Sequence, residues 1–229
     1  MRPNKSYIIS GVFESPPGPF FVRLGGWLFP RRTWIPHPLI VALILVPGQA
    51  LPLWWAAAGT AVVLAGEWLR LEAVRHIGVI SRTRSDRLGP LVDSGPFAWV
   101  RNPLYLGNMA IWVGFAFIAR LPWLALVFLG LLFFEYHAIV SWEERLLASR
   151  IGPDYDAYAA RVPRWIPKPP APTSRLRTPG SGKAQGSGKA QGLGLKAQAF
   201  SWKETLFSER GTLIAIAAGY GLLWIKSAV

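Results

Sequence analysis

Apolar residues are gathered into long blocks along this chain, instead of recurring at a helical or strand period. A helix that crosses a bilayer needs roughly 20 mainly apolar residues. Five blocks approach that length, at residues 38–47, 53–71, 103–118, 121–140 and 211–225. The pattern therefore predicts an all-α fold, a polytopic transmembrane helical bundle of about five spans.

Basic residues mark two of the segments between these blocks. Arginine and lysine are frequent in residues 72–102 and again after residue 140, whereas residues 47–52 carry no charge and the turn at 119–122 has only Arg120. Cytoplasmic loops of membrane proteins are enriched in these residues. We therefore expect both basic segments, and any chemistry in them, on the cytoplasmic side of the membrane.

Composition narrows the functional classes. The chain is 52% hydrophobic and 16% charged, with a net charge of +13 and no cysteine. The basic residues flank apolar blocks, which indicates anionic lipid headgroups and no nucleic-acid partner. His37, His76 and His137 lack ligand spacing, so we expect no metal site. Nothing indicates an obligate protein partner, and residues 1–19 show no signal-peptide pattern.

The blocks and their connections predict four parts. These are an N-terminal interfacial segment (1–33), a membrane core (34–167), a flexible linker (168–199) and a C-terminal segment with the last helix (200–229). The linker contains the hexapeptide GSGKAQ twice in tandem, a Gly/Ser/Lys composition that cannot bury enough surface to fold. A repeat this regular is either natural or engineered. Because the tether is loose, we expect the last helix to be accessory.

The sequence GPFAWVRNPLYLG spans the start of the third block. Asn102 followed by Pro103 signals a helix start, since Asn is a good N-cap and Pro at the first helical position loses no hydrogen bond. The free N–H groups of this helix then face the cytoplasmic side. Arg101 precedes the helix, and Tyr105 and Gly107 lie in its first turns. Taken alone, the motif also fits a well-capped helix with interfacial side chains.

The sequence SWEERLLASRIGPDYDAYAARVPRWIP follows the fourth block. It predicts that the fourth helix continues through Glu143 and Glu144 and stops at Gly152, where Pro153 opens a short new helix. Adjacent helical residues point about 100° apart, so one of the two glutamates at most aims squarely into a given site. Both could instead face water. One face of the new helix carries Tyr155, Tyr158, Ala159 and Val162.

Together the two motifs resemble the isoprenylcysteine carboxyl methyltransferase family and its relatives, including phospholipid methyltransferases. The family pattern reads Gly-Pro-aromatic-x-x-Val-Arg-His-Pro-x-Tyr-x-Gly, then a helical hairpin, then Glu-Glu-x-x-Leu, Gly-x-x-Tyr-x-x-Tyr and Val-Pro-x-x-Ile-Pro. The match covers residues 95–167, and the order of both motifs across a hairpin makes it specific. Asn102 departs from the family's His and cannot titrate near neutral pH.

The resemblance implies an S-adenosylmethionine-dependent methyltransferase that acts on a lipophilic acceptor from the bilayer. Glu144, slightly favoured over Glu143, would pair with the cofactor's ammonium, and an Arg with its carboxylate. The acceptor could be an isoprenylcysteine-like carboxylate, a phospholipid headgroup amine or a small thiol; a sterol-type membrane reductase is a more distant alternative. The implied catalytic residues are Glu144, Arg101 and Tyr105. The implied cofactor-binding residues are Arg101, Asn102, Pro103, Tyr105, Gly107, Glu143, Glu144, Tyr155, Tyr158, Arg161 and Arg164.

Overall fold

A computed structural model of the chain describes residues 19–78, 91–170 and 200–228. These residues form seven α-helices and no strand, so the all-α prediction is confirmed for the described part of the chain. Single 3-10 turns lie at Phe29–Arg31 and Gly95–Ala98. The helices are α1 (Phe20–Leu28), α2 (His37–Leu45), α3 (Trp54–Ile77), α4 (Pro103–Ile118), α5 (Pro122–Ile151), α6 (Pro153–Arg161) and α7 (Trp202–Ala228).

Glycines bring α3 and α4 into close contact. A Cβ atom on Gly114 would lie 2.6 Å from the carbonyl oxygen of Gly59, and one on Gly66 would lie 2.8 Å from that of Gly107. Small residues allow two helix backbones to approach this closely. The α3–α4 pair is the most extensive helix contact of the described residues, and it fixes the position of the first motif.

A tight turn joins α4 and α5 into the predicted hairpin. Arg120 adopts a positive φ of 59°, and the Leu121 amide donates to the Ala116 carbonyl at 2.8 Å. Phe128 and Ile139 on α5 are fully buried in the core that this hairpin forms. The turn therefore holds the start of α4 beside the far end of α5, where the second motif begins.

Helix α1 was not predicted, because its segment was assigned to the interfacial region. It is short and contains Gly25 and Gly26, which have low helix propensity. Its stability comes from packing on α5, since a Cβ atom on Gly25 would lie 1.9 Å from the Ala138 carbonyl oxygen. Tertiary contact thus overrides local propensity here.

Most of the predicted boundaries of the two motif helices are confirmed. Helix α4 covers residues 103–118, as the third block does, and α5 runs past residue 140 to end before Gly152, whose φ is 69°. Helix α7 is longer than the block that predicted it. Most of the predicted linker, residues 171–199, and the basic residues at 79–90 lie outside the described part of the chain.

Membrane crossing is supported for one helix within the described residues. Helix α5 is long and apolar enough to span a bilayer. Helix α4 is apolar but has 16 residues, and α3 carries Glu67, Arg70, Glu72 and Arg75 in its second half. Length and composition therefore support one membrane span among the described residues. They do not confirm the other four predicted spans.

Candidate functional site

Main-chain hydrogen bonds bring the two motifs together. The Arg101 amide donates to the Pro163 carbonyl at 2.9 Å, and the Lys168 amide donates to the Trp99 carbonyl at 2.9 Å. The segment that follows α6 therefore runs alongside the residues that precede α4. A third connection comes from the Tyr158 hydroxyl, which donates to the Phe97 carbonyl at 2.9 Å. These hydrogen bonds place the two motifs side by side.

Glu144 lies between two arginines where the motifs meet. Its Oε2 accepts hydrogen bonds from Arg164 Nε at 3.1 Å and from Arg164 Nη2 at 2.5 Å. Its Oε1 lies 3.4 Å from Arg101 Nη1. The Glu144 side chain is 11% exposed, compared with 16% for Arg101 and 31% for Arg164. Two guanidinium groups thus share one buried carboxylate. The cluster therefore carries one excess positive charge.

Two atoms of this cluster have no hydrogen-bond partner. Glu144 Oε1 and Arg101 Nε are both buried and unsatisfied. Buried polar atoms in proteins are normally hydrogen-bonded, so an unsatisfied acceptor beside an unsatisfied donor needs an explanation. A small zwitterion would supply both partners, because its ammonium can donate to Oε1 and its carboxylate can accept from the guanidinium. The donor set therefore fits the amino-acid end of S-adenosylmethionine.

The neighbouring Glu143 has a different partner. Tyr105 donates a hydrogen bond from its hydroxyl to Glu143 Oε2 at 3.0 Å, and its ring packs on that of Tyr136 with 4.7 Å between centroids. Arg32, which follows α1, lies close enough to interact electrostatically with this pair. The two adjacent glutamates thus have different partners: Glu143 pairs with Tyr105, and Glu144 pairs with two arginines. Neither glutamate is exposed.

Asn102 occupies the position before α4, as predicted, but its side chain does not cap the helix. Instead Asn102 Nδ2 donates to the Arg164 carbonyl oxygen at 3.2 Å. The expectation of a side-chain cap was therefore wrong. The physical reason is that the returning segment after α6 offers a main-chain acceptor, and the amide group bonds to it across the site.

Tyr155 and Tyr158 are buried on the face of α6 that meets the first motif. The Arg101 guanidinium lies close enough to the Tyr155 hydroxyl to interact with it. Burial raises the pKa of Tyr155 to about 12, and burial also raises the pKa of Tyr158 well above its usual range. Both phenols therefore remain protonated at neutral pH, and Tyr158 keeps its role as a hydrogen-bond donor to Phe97.

Three predicted site residues lie elsewhere. Arg161 is exposed and pairs with Asp93 at 3.6 Å, so the structure does not bring it to Glu144. Pro103 is buried in the first turn of α4. A Cβ atom on Gly107 would lie 2.7 Å from the Gly66 carbonyl oxygen. Gly107 therefore allows α4 to approach α3 closely. Their binding of a cofactor stays a prediction.

Sequence reasoning missed a second polar group. Arg70 on α3 donates to Asn108 on α4 and to Glu209 on α7. Glu67 and Arg70 were visible as charges inside an apolar block, and such charges need partners in a membrane. That signal was available, but the partners lie far away in the chain and follow no short motif.

Comparison with known proteins identifies one family model. Residues 54–153 match the phospholipid methyltransferase model, from the start of α3 to the start of α6. The match includes Arg101, Tyr105, Glu143 and Glu144 and ends before Arg164. No solved structure matches the chain.

Three curated relatives match about half of the chain, and two of them are methyltransferases. The chain is 28% identical over 130 residues to a nickel-cobalt-cadmium resistance protein of Alcaligenes xylosoxydans xylosoxydans, covering 57% of this chain and 60% of that protein. It is 26% identical over 132 residues to protein-S-isoprenylcysteine O-methyltransferase B of Arabidopsis thaliana, covering 56% and 67%. It is 31% identical over 119 residues to protein-S-isoprenylcysteine O-methyltransferase of Rattus norvegicus, covering 50% and 42%. The resemblance predicted from the motifs is confirmed.

Proposed function

We propose, on the premise that residues 54–153 belong to the phospholipid methyltransferase family, that this chain uses S-adenosylmethionine to methylate a lipophilic, membrane-embedded acceptor. The observation that carries the proposal is the buried Glu144 carboxylate between Arg101 and Arg164, at the place where the two motifs meet. Membership supports methyl transfer in general, and this cluster supports the choice of donor.

The cluster would hold the amino-acid end of the methyl donor. Glu144 Oε1 would accept from the ammonium group, and Arg101 would donate to the carboxylate. Arg164 would keep Glu144 oriented through its two hydrogen bonds. When bound, the donor supplies a sulfonium methyl group that is already activated for transfer.

The protein's own contribution is chiefly alignment. Holding a nucleophile in line with an activated methyl group supplies much of the acceleration in such a displacement. A carboxylate acceptor needs no base at neutral pH. An amine acceptor must lose a proton first. The Tyr105 hydroxyl would accept that proton and pass its own to the Glu143 carboxylate through the hydrogen bond that joins them.

The relatives favour a carboxylate acceptor of the isoprenylcysteine kind, since two of them, from Arabidopsis thaliana and Rattus norvegicus, are protein-S-isoprenylcysteine O-methyltransferases. The family model favours a phospholipid headgroup amine as the second candidate. Methylation of a small thiol remains a third, and a sterol-type reductase is the more distant alternative. The aligned part spans about half of this chain and 42–67% of these two relatives, so the acceptor is a proposal.

We further propose a multi-pass protein whose site opens to the cytoplasm. Helix α5 would cross the bilayer together with α4, which packs on it, with α3, which packs on α4, and with α7, which packs on α3. Large apolar side chains are exposed on α3, α5 and α7, among them Leu64, Leu126 and Trp224, as helices in lipid require. The acceptor would then enter from the bilayer between helices, while the donor would enter from the basic side.

Calorimetric titration with S-adenosylhomocysteine tests the proposal on the purified chain in detergent. We expect saturable binding by the wild type and its loss in Arg101→Ala. Arg145→Ala is the matched control, because Arg145 is an exposed arginine directly after Glu144. A folded wild-type protein that does not bind would refute the proposed function, and binding by Arg101→Ala would move the donor site away from this cluster.

A further inference from the structure

Helix α7 contributes polar side chains to the interior between α3 and α4. Arg70 Nη2 donates to Glu209 Oε2 at 2.5 Å and to Thr212 Oγ1 at 3.1 Å. The Arg70 side chain is 12% exposed and the Glu209 side chain is 9% exposed. A buried ion pair therefore ties α7 to α3, although α7 lies outside the family match.

The same guanidinium reaches the first motif. Arg70 Nη1 donates to Asn108 Oδ1 at 2.5 Å, and Asn108 lies one turn after Tyr105 on α4. Asn108 also lies close enough to the side chain of Tyr136 to interact with it, and the Tyr136 ring packs on that of Tyr105. Side-chain contacts thus lead from Glu209 through Arg70, Asn108 and Tyr136 to the Tyr105–Glu143 pair.

We propose that Glu209 is a positioning residue for the Tyr105–Glu143 pair, and that it acts through Arg70 and Asn108. The proposal rests on the proposed function only in assigning that pair to the methyl-transfer site. Under this proposal α7 helps to position the site residues. The loose linker had instead led us to expect that the last helix is accessory.

The charges explain why Glu209 controls the position of Arg70. A buried guanidinium needs a carboxylate partner, and two carboxylates compete for this one. Glu209 accepts a direct hydrogen bond, whereas Glu67 lies 3.5 Å from Arg70 Nε and has no hydrogen-bond partner for either oxygen. Without the charge of Glu209, Arg70 would turn to Glu67 and release Asn108. Tyr136 and Tyr105 would then lose the contact that fixes their rings.

Three variants test this inference on the full-length protein. Glu209→Gln removes the charge at nearly constant shape, Glu209→Asp keeps it, and Lys203→Gln is the control at an exposed position of α7. The first measurement is the infrared carboxyl band of Glu143, identified by its loss in Glu143→Gln. The second is the Kd for S-adenosylhomocysteine, measured by calorimetry.

We expect Glu209→Gln to shift the Glu143 band and to raise the Kd roughly fivefold, in the range seen for residues that act through a contact network. Glu209→Asp should restore most of both values, and Lys203→Gln should change neither. If Glu209→Gln does not fold, Thr212→Val removes a weaker acceptor of Arg70 and should shift the band in the same direction by less.

An unchanged Glu143 band in the folded Glu209→Gln or Thr212→Val protein would overturn the inference. Equal band shifts in Lys203→Gln would also overturn it, because the effect would then be a general one of α7. The infrared result does not need ligand binding. A wild type that fails to bind S-adenosylhomocysteine would therefore refute the proposed function while the band still decides the role of Glu209.

Discussion

Arg164 donates two hydrogen bonds to one oxygen of Glu144, from Nε at 3.1 Å and from Nη2 at 2.5 Å. This arrangement leaves the second carboxylate oxygen without a hydrogen bond, on the side where Arg101 lies at 3.4 Å. Arg164 of the second motif thus holds Glu144, and the unsatisfied Glu144 oxygen lies beside Arg101 of the first motif.

Replacing Glu144 by Gln should weaken binding of S-adenosylhomocysteine about tenfold or more, because hydrogen bonds to charged groups contribute roughly 1.5–3 kcal/mol. The protein should remain folded, since Gln preserves the shape. Calorimetry gives the Kd, and the melting temperature in detergent provides the control for folding. Unchanged affinity in the folded variant would remove Glu144 from the pocket.

Asn102→His should be tolerated, whereas Asn102→Asp should not. An imidazole N–H can donate to the Arg164 carbonyl as the Asn amide does, but a carboxylate has no proton to donate and repels that oxygen. We expect near wild-type donor affinity for the His variant and a several-fold weaker affinity for the Asp variant. Equal affinities for both would show that the Asn102 hydrogen bond does not organise the site.

Gly66→Ala should destabilise the protein by about 1–3 kcal/mol, because its Cβ atom would lie 2.8 Å from a backbone oxygen of α4 and force the helices apart. The matched control is Gly130→Ala on α5, where nothing lies within 4 Å of the added carbon. Thermal unfolding in detergent compares the two. A melting temperature that falls equally in both variants would contradict the close α3–α4 contact.

Stability should fall as the pH rises through the titration range of Tyr155. Burial raises its pKa to about 12 in the folded protein, above an ordinary value of about 10. The folded state therefore binds this proton more tightly, so the stabilisation is complete below pH ~10 and is lost as the pH approaches ~12. Melting temperatures across this range should decline less steeply for Tyr155→Phe. Parallel declines would assign the pH effect to other groups.

Local signals predicted the helices that carry the motifs. Asn102 and Pro103 placed the start of α4, and Gly152 and Pro153 placed the junction of α5 with α6, since these residues act through their own backbone preferences. The role of the Asn102 side chain could not be read in this way. It depends on a carbonyl 62 residues away, which only the folded chain brings within reach.

The contact of α7 with α3 could also not be predicted from the sequence. Arg70 and Glu209 are 139 residues apart, and no periodicity connects one helix to another across a linker. Helix α1 was missed for a related reason, because its glycines reduce local helix propensity while they allow contact with Ala138. Contacts between residues far apart in the chain therefore determine the position of α7 and the stability of α1.

Proline fixes the alignment of the segment that closes the site. Lys168 stands between Pro167 and Pro169, and its amide makes the hydrogen bond to the Trp99 carbonyl. A shift of this segment by one residue in either direction would place a proline opposite that carbonyl, and proline has no N–H to donate. A one-residue slip of this segment would therefore lose the hydrogen bond, and the flanking prolines favour the register in which Arg164 reaches Glu144.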